Sequence, residues 1–208
     1  MPGGVARRIS VVRSGDAGYG RAMADLNYTV IASLDGYVND ADGHFDWAAP
    51  DEQVHSFVND LERPVGTYLY GRRMYETMRF WAQDSPVIDD SPITRDYAAL
   101  WRQAEKVVYS TSLAAVDTPR TRLERGFDPA AVAALKAEST SDLSIGGPHL
   151  AAAALEAGLV DELGVFLVPH VVGGGTPWLP DGLRLPLRLV DQRRFDAGTV
   201  YLRYRPAA

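Results

Sequence analysis

Gly146 and Gly147 stand between the apolar stretch "DLSI" and the alanine-rich run "PHLAAAALEAG". A glycine pair between a strand and a helix has two uses. It makes a tight turn, or it lets backbone amides approach a phosphate at the start of the helix, where the helix dipole favours negative charge. Three other strand ends carry matching chemistry. "VGTYLYG" ends at Gly71 and runs into Arg72 and Arg73, which offer fixed charge and forked donors. "KVVYS" ends at Ser110, followed by Thr111 and Ser112, whose hydroxyls suit a phosphate or a ribose. The stretch Asn27–Ser33 runs into Leu34, Asp35 and Gly36. Each signal has a plain structural reading as a turn or a solvated helix start. Four at successive strand ends point to a nucleotide-type ligand.

The elements that must hold these residues follow from periodicity. Apolar, β-branched runs at Asn27–Ser33, Val65–Gly71, Lys106–Ser110, Asp142–Gly146 and Glu162–Val172 read as strands. Helical spacing marks Asp51–Arg63, a helix opening at "RRMYETM", a helix carrying Ile93, Tyr97, Leu100, Trp101 and Ala104, and two more opening at Asp128-Pro129 and at Pro148. Asp84–Pro92 and "GGGTPWLPDG" read as loops, and "LPLRLVDQRRF" with "GTVYLRYRP" as a closing antiparallel pair around Ala197-Gly198. Strands alternating with helices predict an α/β fold of three layers, α-β-α, with a mainly parallel twisted sheet and a C-terminal antiparallel hairpin. Ligands bind such sheets beyond the carboxyl ends of the strands.

Composition bounds the function. The chain has 208 residues, a net charge of −6 and no cysteine. The charge disfavours a general nucleic-acid or anionic-membrane surface. The lack of cysteine excludes disulfides, thiolate metal sites and cysteine nucleophiles, and agrees with a cytoplasmic setting. No apolar run is long enough to span a membrane. No pair of the four histidines (His44, His55, His149, His170) has metal-ligand spacing, so no metal site is expected. Residues 1–24 read as a loose N-terminal extension and 25–208 as one domain, with organised sequence beginning just after Met23. The common dinucleotide fingerprint is absent: Gly18-Tyr19-Gly20 follows no strand, and Gly173–Gly175 precedes no helix.

In order, "YTVIASLDGYV", "YLYGRRMYETM", "KVVYSTSL", "LSIGGPHLAAAALEAGLVDEL" and "FLVPHVVGGGTPWLP" resemble the landmarks of the dihydrofolate-reductase-like fold. The nearer likeness is to the reductase domain of bifunctional riboflavin-biosynthesis proteins, the RibD C-terminal domain, over about Asn27 to Pro206. The resemblance implies NADPH as cofactor. It places Gly146 and Gly147, with Pro148, His149 and Leu150 of the following helix turn, on the pyrophosphate. Gly71, Arg72 and Arg73 meet the adenosine-side phosphates, and Ser110, Thr111 and Ser112 the 2′-phosphate or adenine end. Ala32 and Ser33 lie near the nicotinamide.

Asp35 and Glu52 are the candidate catalytic carboxylates. Trp47, Pro50 and Glu52 keep the Trp-x-x-Pro-x-acid register of dihydrofolate reductases. A carboxylate in an apolar cleft holds a proton at neutral pH, because burial raises its pKa. Trp47 and His170 are the candidate walls of a flat heterocyclic substrate. Two departures weaken the phosphate grip: Met74 stands where a threonine follows the glycine-arginine pair, and Thr111 where an arginine follows the serine. The deaminase half of the bifunctional proteins needs cysteine-bound zinc, so the resemblance implies the reductase alone, as a homodimer. The expected activity is reduction of a small heterocycle such as 5-amino-6-(5-phosphoribosylamino)uracil. A dihydrofolate reductase and a nucleotide-binding protein without turnover are the alternatives.

Overall fold

The computed structural model describes residues 24–207. Six parallel strands form most of one sheet: β1 (Leu26–Ser33), β3 (Val65–Gly71), β4 (Glu105–Tyr109), β5 (Thr121–Glu124), β6 (Asp142–Gly146) and β7 (Glu162–Val168). The hairpin β9 (Leu187–Arg194) and β10 (Val200–Pro206) completes it antiparallel to β7. The spatial order is β5-β4-β3-β6-β1-β7-β10-β9. A two-stranded piece, β2 (Tyr37–Asn39) with β8 (Thr176–Pro177), lies apart from it. No helix among the described residues is long and apolar enough to cross a membrane.

Strand alternation decides which layer each helix joins. On β3, Leu69 packs with Val132 of α5 (Pro129–Glu138) and with Ala151, Ala154 and Leu155 of α6 (Pro148–Glu156). Its neighbours Tyr68 and Tyr70 face the other way. They meet Tyr75 and Met78 of α2 (Arg72–Met78) and Tyr97 and Trp101 of α4 (Pro92–Gln103). A third apolar cluster joins Val54 and Phe57 of α1 (Glu52–Glu62) to Phe166, Phe195 and Tyr201. Helices α1, α2 and α4 thus cover one face, and α5 and α6 the other, as right-handed crossovers running in opposite directions along a sheet require.

The chain leaves β1 through α1 on one face and leaves the adjoining β6 through α6 on the other. That is a topological switch point, and its crevice opens at the carboxyl ends of β1 and β6.

Four expectations change. The expected strand Glu162–Val172 stops at Val168, because Pro169 has no amide to continue the ladder and the partner β1 ends at Ser33. The loop Asp84–Pro92 contains a short helix, α3 (Pro86–Asp89), opened by its proline. β5 and the β2–β8 pair were unanticipated: "TRLE" alternates charge at a sheet edge and lacks an apolar run, and β2 and β8 are too short for a period. The expected extension over residues 1–24 lies outside the described residues except for Ala24, which is buried against the sheet and donates its amide to Lys136 O at 3.3 Å.

One buried acid sits away from the switch point. Glu62, the last residue of α1, has an Oε2 sealed from solvent and unpartnered. Burial pushes its pKa up to about 7, against a smaller opposing effect of the Tyr68 hydroxyl. The unfolded chain loses this proton near 4.5, the folded one near 7. Stabilisation is therefore complete below the lower value and lost as pH rises through the upper one, by about 3 kcal/mol. Thermal unfolding from pH 5 to 8 should show this decline, and Glu62→Gln should flatten it. A wild-type profile that does not fall would mean Glu62 is ionised in the fold.

Candidate functional site at the switch point

The two glycines of the turn do different jobs. A Cβ at Gly146 would lie 2.9 Å from the ring of Tyr70 and 3.0 Å from Met74 Cγ, so only glycine lets β6 pass this buried ring. Gly147 has φ +94° and is the N-cap of α6. It offers no side-chain acceptor to the helix's first amides, and that first turn contains no acidic residue. By contrast, α1, α4 and α5 are capped by Asp51, Ser91 and Asp128. The α6 turn thus keeps backbone donors and the positive end of the helix for something other than itself. Met74, which stands where the resembling family has a threonine, packs against both glycines.

The neighbouring strand ends converge here. Arg72 donates from Nε to Glu76 at 2.7 Å and from Nη1 to Ser112 Oγ at 3.1 Å, which joins the end of β3 to the turn after β4. Gly71 approaches Leu150: a Cβ there would lie 3.8 Å from it. Arg73, Thr111, Ser112 and His149 are exposed. The guanidinium of Arg73 makes no ion pair among the described residues. Ser110 differs from its neighbours: its Oγ is nearly buried and accepts from the amides of Ser112 and Leu113 at 3.2 and 3.0 Å, so it shapes the turn. Anion-suited groups thus line the crevice from α6 to the end of β4. They fit a dinucleotide's phosphates in kind: uncapped amides, guanidiniums, hydroxyls, and two positions where a side chain would intrude.

The end of β1 divides the site. Ile31 faces the α1 side, and Ala32, with no exposed surface, faces the other. On the Ile31 side lies a cavity of about 180 Å³, walled by Trp47, Asp51, Val168, Pro169 and Thr199. Trp47 stacks on His170 with ring centroids 5.5 Å apart and planes 4° from parallel, so the two expected substrate residues are neighbours. The volume suits one ring system; whole drug-sized ligands take about 300–1,000 Å³.

Both expected catalytic carboxylates stand differently from the expectation. Glu52 does not line this cavity; it is exposed on an outer groove. The helix starts at Glu52, so Asp51 takes the cap position, accepts from Val54 N at 2.8 Å and lines the cavity. One residue turns a helical side chain by about 100°, which is why the spacing alone selected the wrong neighbour. Asp35 is a tie between loops. Its carboxylate accepts from the amides of Val172 and Gly173 at 3.1 and 2.8 Å. The Ser33 hydroxyl first, and then those amides, hold its pKa below the usual carboxylate value. It stays ionised at neutral pH and is a poor proton donor.

Around that tie the loops after β1 and β7 are clasped together. Leu34 N donates to His170 O at 2.7 Å, Tyr37 N to Ser33 Oγ at 3.0 Å, Thr176 N to Asn39 Oδ1 at 3.0 Å and Trp178 N to Gly36 O at 3.1 Å. The Tyr28 hydroxyl anchors the clasp from below by donating to Trp178 O at 2.7 Å. Leu34 and Val171, missed from sequence, are 62% and 64% exposed on these loops and give the mouth an apolar lip. Among the described residues, Asp40, Asp42 and His44 bring ligand-type atoms within 4.8 Å of one another. They form an exposed turn in which Asp40 Oδ1 already accepts from the amides of Asp42 and His44.

A family model described as the RibD C-terminal domain matches residues 24–201. A curated Bacillus subtilis protein described as the uncharacterized protein YyaP is 29% identical over 188 residues, spanning 88% of this chain and 94% of its own. Solved structures share the fold. A riboflavin biosynthesis protein from Shewanella sp. PV-4 superposes with a TM-score of 0.70 at 20% identity, covering 88% of this chain and 99% of that one. The Thermotoga maritima diaminohydroxyphosphoribosylaminopyrimidine deaminase/5-amino-6-(5-phosphoribosylamino)uracil reductase gives 0.61 at 15% identity, covering 89% of this chain and 57% of that one. Dihydrofolate reductase from Enterococcus faecalis, complexed with NADP(H), gives 0.59 at 13% identity, covering 88% and 97%.

Proposed function

The chain belongs to the RibD C-terminal domain family, and from that premise we propose that it is a reductase that takes NADPH and reduces a small electron-poor heterocycle of the 5-amino-6-(5-phosphoribosylamino)uracil type. The homodimer and the cytoplasmic setting implied by the sequence resemblance are part of the same proposal. The observation that carries it is the uncapped Gly147 start of α6 at the switch point, across the end of β1 from a ring-sized cavity. The named relatives support it: one has a reductase activity in its description, another carries NADP(H) on the same fold.

When bound, the dihydronicotinamide supplies a hydride. The chain's own residues orient and protonate. The amides of the first turn of α6 hold the pyrophosphate, with Arg72, Arg73 and Ser112 on the adenosine side. The loop clasp fixes the lip of the cavity, and Trp47 stacked on His170 walls the ring. Asp51 holds or relays the proton that the reduced ring takes up. Positioning by these groups is what turns an encounter into a unimolecular step.

Two measurements test this reading. NADPH and NADH binding is followed by tryptophan quenching, and turnover by loss of dihydronicotinamide absorbance with the ribosylaminouracil and with dihydrofolate. Binding without turnover on either substrate would leave a nucleotide-binding protein and overturn the reductase. Asp51→Asn isolates the acid, since asparagine caps a helix about as well as aspartate. It should lower kcat about 100-fold and leave NADPH affinity and the melting temperature unchanged. An unchanged kcat would remove Asp51 from the mechanism.

A further inference from the structure

Outside the switch-point site, a groove of about 580 Å³ runs between α1 and the end of β9. It adjoins the ring-sized cavity. Asp51 and Ala197 line one, and their neighbours Glu52 and Asp196 line the other. Gln53 and Asp196 form the sill, with Gln53 Nε2 donating to Asp196 Oδ2 at 2.8 Å and Asp196 N donating to Gln53 Oε1 at 3.3 Å.

Arg193 is the distinctive side chain in this groove. Its guanidinium lies 4.7 Å from the ring centre of Phe57 and 5.1 Å from that of Phe195. The register sets it opposite Tyr201, beside the aromatic cluster of α1 and β7. Two ring faces hold the fork in place, yet Arg193 is exposed and makes no ion pair or hydrogen bond through its side chain among the described residues. Arg194 beside it makes none either. Of the three carboxylates lining the groove, Asp60 is engaged by Arg63 at 3.2 Å and Asp196 by Gln53, which leaves Glu52. Two uncommitted guanidiniums against one uncommitted carboxylate give the groove a positive excess. A planar fork already stacked on aromatic rings keeps its N–H edge for an oxyanion and loses little entropy in binding one.

We propose that this groove is a subsite for a phosphate monoester on the substrate, held by Arg193 and Arg194, with the substrate's ring in the cavity beside Asp51. The inference rests on the reductase reading and narrows it: the heterocycle carries a phosphorylated polar tail that crosses the Gln53–Asp196 sill. Two adjacent guanidiniums match the two charges of a phosphate monoester better than the single charge of a carboxylate.

The test titrates the whole protein with ribose 5-phosphate, followed by NMR of the Arg193 Nε–H and the Gln53 side-chain amide. Both resonances should move saturably, and neither should move with ribose. Arg193→Gln should weaken binding by about tenfold or more, with its melting temperature close to wild type because the residue is exposed. Three results would overturn the proposal: shifts confined to the amides of Gly147, His149 and Leu150; equal affinity in Arg193→Gln; or an equal response to gluconate, which carries a carboxylate instead. NADPH binding, measured separately, tells the two readings apart. Ribose 5-phosphate at Arg193 without any NADPH binding would retain the subsite and remove the reductase.

Discussion

Gly147→Asp is expected to reduce NADPH affinity by about 100-fold or more while leaving the protein folded. Three effects act together. The position has φ +94°, so any L side chain there is strained by about 1–2 kcal/mol. Space is not the obstacle, since a Cβ would meet only Met74 Cβ at an ordinary 3.5 Å. The third effect is specific to aspartate. Its carboxylate is a good helix cap, so it would occupy the first-turn amides of α6 and set a negative charge where the pyrophosphate has to lie. The same capping offsets part of the strain, which is why the fold should survive. Gly147→Ala is the control, because it carries the strain without the carboxylate. Calorimetric titration of the three proteins decides the matter. If Gly147→Asp binds NADPH like wild type, the glycine pair is a turn and nothing more.

The second large effect concerns the clasp. Gly175→Ala should open the β2–β8 pairing and cost about 2–3 kcal/mol of stability. At φ +141°, a Cβ on Gly175 would lie 1.9 Å from the carbonyl oxygen of Asn39, an atom of the backbone that cannot turn aside. Its neighbour Gly174 has φ +154° and no atom within 4 Å of the same added carbon, so Gly174→Ala carries the backbone strain alone. Hydrogen exchange should show residues 34–40 and 171–178 losing protection in the first variant and keeping it in the second. NADPH binding through α6 should persist in both, while turnover falls only where the clasp opens. Equal exchange in the two variants would mean that the clasp does not depend on this close approach.

Much of this protein was legible in its sequence, and the legible parts are local. Strand alternation, helical spacing and the glycine and proline breaks are all read within a few residues. They placed the parallel strands other than β5, the closing hairpin, and the cluster of glycines, arginines and hydroxyls at the strand ends. The order of those motifs also carried the family resemblance that the match over residues 24–201 established. What failed locally was short or polar: β5, β2 and β8 present no periodic apolar signal.

Only the tertiary structure decided what the polar side chains do, because their partners lie far along the chain. Asp35 became a loop tie through amides 137 and 138 residues away. Trp47 and His170 became a stacked pair across more than half the protein. Asp51 rather than Glu52 faces the cavity because the helix begins one residue later than the motif register assumed. Arg193 lies flat on Phe57 because β9 is the last strand laid beside a sheet already covered by α1. Periodicity sets which face a residue takes. The contacts that give a charge its task depend on which strands close side by side, and that was settled only when the chain packed.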